Sequence, residues 1–192
     1  MDNPRDGSCP FCKIAVAYAP YSPTDPPHPT SPSVSPSNTT PETYLILSTP
    51  DAIAFLDIMP LSPAHLLLCP RAHCPKLSDV GSDEAASLGR YLPVLSRALV
   101  RVLGEGTDWN VVQNNGPGAG QVVGHVHFHL IPRVSGSGSG SGSAGPIADR
   151  FAKSFAMFGK GKREELDDEE GREMAARLRS AVAEVLQQEP KL

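Results

Sequence analysis

Residues 125 to 129 read His-Val-His-Phe-His, and Leu130 and Ile131 follow. Polar and apolar side chains alternate here with a period of two, which is the period of a strand and not of a helix. On such a strand the three imidazoles project from one face, about 6.7 Å apart at i and i+2. Val126, Phe128 and Leu130 then point to the opposite face, into a core. The chain has only six histidines. Three of them falling at alternate positions by coincidence has a chance of about half a percent. A chain built around this stretch must supply a sheet and something to cover its apolar face.

The rest of the sequence supplies both. Tyr44–Ser48, Ala52–Asp57 and His65–Cys69 are short apolar runs bounded by Pro or Asp, and read as strands. Trp109–Gln113 and Gln121–Ile131 add two more. A helix is expected from Ser82, as its cap, to about Leu103. Ala85, Leu88, Leu92, Leu95 and Leu99 form its apolar stripe, and Pro93 is expected to kink it. The run EEGREMAARLRSAVAEVLQQ is amphipathic, with Met174, Leu178, Ala181 and Val185 on one side. The sum is an α+β chain with a mainly antiparallel five-stranded sheet, a long helix and a C-terminal helix. Residues 1–134 are expected to form one domain, interrupted by a disordered Pro/Ser-rich insert at 19–41. A flexible Gly/Ser linker at 135–145 leads to a C-terminal extension, 146–192, that carries the last helix.

Composition narrows the function classes. With 40% hydrophobic residues a real core is available, and a net charge of -4 argues against a general nucleic-acid binder. No run of about 18 apolar residues suggests a membrane span, and the polar start lacks the apolar centre of a signal peptide. A cytoplasmic or nuclear address is expected. Four cysteines in such a chain read as thiols or metal ligands rather than a disulfide framework.

The histidine row has three readings: a solvated polar face, a metal held by all three rings, or nucleophilic chemistry. In the last, a neutral imidazole attacks phosphorus and a neighbouring imidazole moves protons. The preceding loop, NNGPGAGQ at 114–121, favours the third. Its glycines let backbone N–H groups approach a phosphate closely. Cys9 and Cys12 form C-x-x-C, which reads as a disulfide, a redox pair, plain thiols or half of a zinc site. His73 and His125 are the candidates for the other half. Cys74 is a competitor, and Cys69 reads as core.

GQVVGHVHFHLIPR at 120–133 resembles the signature of the histidine triad (HIT) superfamily. CPFCKI at 9–14, AFLDIMPLSPAHLLLCPRAH at 54–73 and NVVQNNG at 110–116 fit the same pattern in order. The likeness covers most of residues 8–133 outside the Pro-rich insert. It is strongest to the Hint-type branch, nucleoside 5'-monophosphoramidases, and to its fungal members. The resemblance implies a HIT-like fold and an enzyme that cleaves adenosine 5'-monophosphoramidate P–N bonds through a nucleotidyl-histidine, releasing AMP. It makes His127 the nucleophile, with His129 and His65 in support. Asp57 would bind the ribose hydroxyls. Phe11, Ile14, Phe55, Ile58 and Leu67 would wall the base pocket of a purine nucleotide. Asn114, Gly120, Gln121 and Val122 would lie on the phosphate side; many Hint-type proteins carry Ser where Val122 stands. Structural zinc on Cys9, Cys12, His73 and His125 is implied, as is a homodimer, with no organic cofactor. Two alternatives remain: a dinucleoside polyphosphate (Ap3A or Ap4A) hydrolase, and a low-turnover nucleotide-binding scaffold. An aprataxin-like repair role is disfavoured, because no Cys or His follows residue 133.

Overall fold

Strands β1 (Leu45–Ser48), β2 (Ala52–Leu56) and β3 (Leu66–Pro70) are successive antiparallel neighbours. Strand β5 (Phe128–Arg133) pairs with β3 and, on its other side, with β4 (Asp108–Gln113). The sheet order is therefore β1-β2-β3-β5-β4, antiparallel throughout. Among the described residues there are three α-helices: α1 (Pro10–Ala17), α2 (Ser82–Leu103) and α3 (Asp168–Gln188). This is the α+β architecture expected from the sequence. A computed structural model describes residues 7–133 and 165–188. The Gly/Ser run at 135–145 and the KGKR run at 160–163 lie outside the described residues.

Alternation sorts the strand residues onto two cores. Ala52, Ala54 and Leu56 of β2 and Leu66 and Leu68 of β3 pack with Leu88, Leu95 and Leu99 of α2 and Leu178 and Val182 of α3. Ile53, Phe55, Leu67 and Cys69 face the other way and join Phe11, Cys12, Tyr18 and Val34. Strands β1, β2 and β3 are buried at every position, so the sheet is covered on both faces over much of its width.

Four local readings change. The histidine strand is shorter than expected at its start, beginning at Phe128 instead of Gln121. The preceding backbone is bonded elsewhere: the Val126 N–H donates to the Cys74 carbonyl at 2.7 Å and the His125 N–H to Val123 at 2.8 Å. Only His129 of the three histidines therefore sits in the ladder. Helix α2 is capped by Gly81, with Ser82 as its first residue, and runs on through an exposed Pro93 as one 22-residue element. Its buried side is Leu88, Val94, Leu95, Ala98 and Leu99, with Ala85 exposed. The Pro/Ser-rich insert, expected to be disordered, is instead placed against the second core. Two single turns, Pro32–Val34 and Pro36–Asn38, bury Val34 to 2% exposure. The Tyr18 hydroxyl lies 2.9 Å from the Ser35 carbonyl and ties that segment down. Tyr21 adds two bonds to β1, its N–H to the Ser48 carbonyl at 2.9 Å and its hydroxyl to the Ile46 carbonyl at 2.8 Å, and none of these residues stands out against the low-complexity background.

Helix α3 docks on α2 and β1. It buries Ala175, Leu178, Ala181, Val182 and Val185 against α2 and β1, within the first core. Gly171 is the point of closest approach, since a Cβ there would lie 2.8 Å from the Tyr44 ring. Tyr44 is fixed in turn by a 2.6 Å hydrogen bond from its hydroxyl to Asp168. Gly171→Ala gains about 1 kcal/mol of helix propensity but overpacks a ring that has little room to move, at a cost of about 1–3 kcal/mol. The variant is expected to unfold at lower urea concentration than the parent. A rise in midpoint would show that α3 does not seat on Tyr44 as described.

Candidate active site and metal-ligand cluster

The strand register builds one row across the second face of the sheet. Leu45 pairs with Phe55, Phe55 with Leu67, Leu67 with His129, and His129 with Val112. An imidazole is thus mounted beside apolar walls contributed by the neighbouring strands. Asn114 directly follows the last β4–β5 pair, Gln113 with Phe128. The His127 and His129 rings are 4.8 Å apart at their centroids, and Phe11 meets His127 edge-on at 5.2 Å. Phe11 also contacts the Phe55 ring at 5.4 Å. Ile14 and Val123 border this cluster, and Leu67 belongs to it. Ile58 follows Asp57 at the end of β2, half-buried, where its carbonyl accepts from the Leu166 N–H at 2.9 Å.

Fixed backbone donors and acceptors set the histidine tautomers. His127 Nδ1 lies 2.7 Å from the His125 carbonyl, which only accepts, so Nδ1 carries the proton. Nε2 of the neutral ring then keeps its lone pair. Burial lowers the His127 pKa below the ordinary imidazole value, favouring that neutral form. His65 is 1% exposed, and its Nδ1 accepts from the Leu61 N–H at 3.2 Å. Its proton therefore sits on Nε2, which donates to His129 Nδ1 at 3.0 Å. By the same logic neutral His129 holds its proton on Nε2. Asp57 Oδ2 also lies 3.5 Å from His65 Nδ1. The shorter bond from the fixed Leu61 donor governs the tautomer. Asp57 closes β2, 8% exposed, with Oδ1 accepting from the Met59 N–H at 2.9 Å.

The loop before the triad is held by Gln121. Its amide oxygen accepts from the Gly116 N–H at 2.6 Å, and its amide nitrogen donates to Pro75 at 2.8 Å and to His125 at 3.4 Å. The side chain braces the loop instead of reaching outward. Gly116 and Gly120 take left-handed backbone angles, φ 87° and 83°, that favour glycine. Val122 is 94% exposed.

His125 is turned away from its two neighbours. Its Nε2 donates to the Pro70 carbonyl at 2.9 Å, which leaves Nδ1 as a lone pair. That atom lies 3.5 Å from Cys9 Sγ and 3.6 Å from Cys12 Sγ, and His73 Nδ1 lies 3.3 Å from Cys12 Sγ. All four ligand atoms fall within 4.8 Å of one another. Tetrahedral coordination with metal–sulfur and metal–nitrogen bonds of about 2.3 and 2.05 Å requires S···N edges of ~3.6 Å. The observed separations match that edge. Burial lowers the His125 pKa to about 4, so the ring is a neutral donor. Cys69 and Cys74 stand outside the cluster. The structure therefore brings Cys9, Cys12, His73 and His125 together as a group able to hold a metal ion.

Arg71 had no sequence signal. It follows β3 and donates to the carbonyls of Thr49, Ala15 and Tyr18 and to the Ser48 hydroxyl. These bonds lock the end of α1, and with it Phe11, Cys9 and Cys12, onto the sheet. A lone arginine in a Pro-Arg-Ala-His run has no periodicity to reveal such a role.

The HIT domain family model matches residues 38–136. The adenosine 5'-monophosphoramidase of Candida albicans is 35% identical over 133 residues, which is 66% of this chain and 70% of that protein. The adenylylsulfatase of Arabidopsis thaliana is 38% identical over 81 residues, covering 42% of this chain and 41% of that protein. Among solved structures, a hypothetical protein from Leishmania major superposes with a TM-score of 0.51 at 31% identity, over 79% of this chain and 93% of that one. The matched span contains β1 to β5 and all three residues of the histidine row, and on that basis the chain belongs to the HIT domain family.

Proposed function

We propose that the protein hydrolyses adenosine 5'-monophosphoramidate-type P–N bonds through a covalent nucleotidyl group on His127. The hydrogen bond from His127 Nδ1 to the His125 carbonyl carries this reading, because it leaves Nε2 as the nucleophilic atom. His127 Nε2 bonds to the α-phosphorus as the P–N bond breaks. The Nε2–H of His129 donates to the departing nitrogen, which leaves as the neutral amine with a proton drawn from solvent, and His65 steadies His129 through Nδ1. Water then attacks the phosphorus and gives up a proton to solvent, and the His127–phosphorus bond breaks to release AMP. Asp57 would accept from the ribose hydroxyls. Phe11, Ile14, Phe55, Ile58 and Leu67 would border the base. Asn114 and the backbone around Gly120, Gln121 and Val122 would face the phosphate. In this reading Val122 supplies an N–H but no hydroxyl.

Cys9, Cys12, His73 and His125 would hold structural zinc, with no ligand position left open for catalysis. A homodimer would cover edge strand β4, where Trp109 is 38% and Val111 45% exposed. No helix among the described residues is long and apolar enough to cross a membrane. The proposed setting is the cytoplasm or nucleus.

Rates on an AMP–amine conjugate, adenylyl sulfate, diadenosine triphosphate and diadenosine tetraphosphate test the leaving group. The conjugate is expected to have the highest kcat/KM, by about tenfold or more. Faster turnover of either dinucleotide would replace the phosphoramidase reading with polyphosphate hydrolysis. Absence of turnover on all four would favour a nucleotide-binding role.

A further inference from the structure

The family match leaves out both the first part of the Pro/Ser-rich insert and helix α3. These two segments border an open-sided cavity of about 480 Å³ against the start of β1. That volume is in the range of small-molecule sites. Val34, Pro36, Leu45 and Ala176 give it apolar walls, and Ser31 adds a hydroxyl. β1 lies three strand spacings from β5, about 14 Å across the sheet, so the cavity is separate from the triad.

Its unusual feature is Arg179, a cavity-lining cation that is only 5% exposed. Its Nη1 donates to the Leu45 carbonyl, and no other hydrogen bond from its guanidinium occurs among the described residues. Nor does any described carboxylate pair with it. Tyr18 and Tyr21, whose hydroxyls act electrostatically on Arg179, direct their hydroxyl protons to the Ser35 and Ile46 carbonyls. The other charges at the cavity are already matched. Arg172 pairs with Glu42 at 2.7 Å, and Glu173 lies 4.0 Å from Arg177. The guanidinium donors not bonded to Leu45 are not sealed from solvent, so an anion entering the cavity can reach them.

We propose that this cavity binds a small organic carboxylate with an apolar body. The Nε and Nη2 edge of Arg179 forms a planar fork that matches a carboxylate bidentately. The apolar walls take the body of the ligand. A single guanidinium with few surrounding donors suits a monoanion better than a phosphate ester.

Calorimetric titration of the full chain with phenylacetate and hexanoate, against the neutral phenylacetamide and hexanamide, tests this directly. The carboxylates are expected to bind at least about tenfold more tightly than the amides. Ala176→Leu fills the cavity and keeps the guanidinium, so it should weaken carboxylate binding about tenfold or more while leaving the thermal midpoint in place. Saturating AMP should not displace the probe. Equal binding of acid and amide overturns the proposal, as does undiminished binding by the A176L variant or displacement by AMP. Tighter binding of phenyl phosphate than of phenylacetate would overturn the assignment to carboxylates.

Discussion

His127→Ala is expected to lower hydrolysis of an AMP–amine conjugate by about 10⁴-fold or more, because in the proposed mechanism its Nε2 is the atom that bonds to phosphorus. Most of the loss should fall on kcat. AMP should still bind within a few-fold of the parent affinity, since Phe11, Phe55 and Leu67, the proposed base walls, belong to the second core. A quench in base followed by mass spectrometry should find adenylate on His127 of the parent and none on the variant. His65→Ala is a more graded change. It removes the donor to His129 Nδ1 at 3.0 Å and leaves His127 Nε2 intact. Its kcat should fall less than that of His127→Ala, with the adenylate still trapped on His127. Adenylate on His129 in the parent protein, or wild-type turnover by His127→Ala, would end the nucleophile assignment.

The period-two pattern of residues 125–131 made the sheet legible, along with which side of β5 faces the core. It could not show where the ladder begins. Strand pairing stops at Phe128 because the Val126 N–H finds the Cys74 carbonyl, a contact between segments about fifty residues apart. The same limit applies to the tautomers. Sequence places His127 between two histidines, but the proton on Nδ1 is fixed by where the His125 carbonyl points. The spacing of Cys9 and Cys12 suggested half a site. Its completion needed the fold to carry α1 against β3, a task of Arg71 that leaves no pattern in sequence. The insert misled because composition averages over residues, whereas order there rests on a few of them, Val34 and Tyr21 within it and Tyr18 beside it.

The largest expected loss of stability comes from Cys12→Ser. Cys12 Sγ is 3.3 Å from His73 Nδ1 and 3.6 Å from His125 Nδ1, so it lies between both histidines of the cluster. A hydroxyl in its place is a poor ligand for a metal that prefers thiolate and imidazole. Metal binding adds directly to folding free energy, so losing it should cost on the order of 3 kcal/mol or more. In a chain of this size that lowers the thermal midpoint by about 10 °C. Elemental analysis should find about one zinc per parent chain and little in the variant. Cys74→Ser serves as the control, because Cys74 neighbours His73 but stands outside the cluster. It should keep both zinc and midpoint. Catalysis should respond as well, since the ring of His125 joins the cluster while its carbonyl orients His127. Cys12→Ser should therefore lower kcat more than it raises KM. A variant that retains zinc and the parent midpoint would show that Cys12 is an ordinary buried thiol and that His125 is held by Pro70 alone.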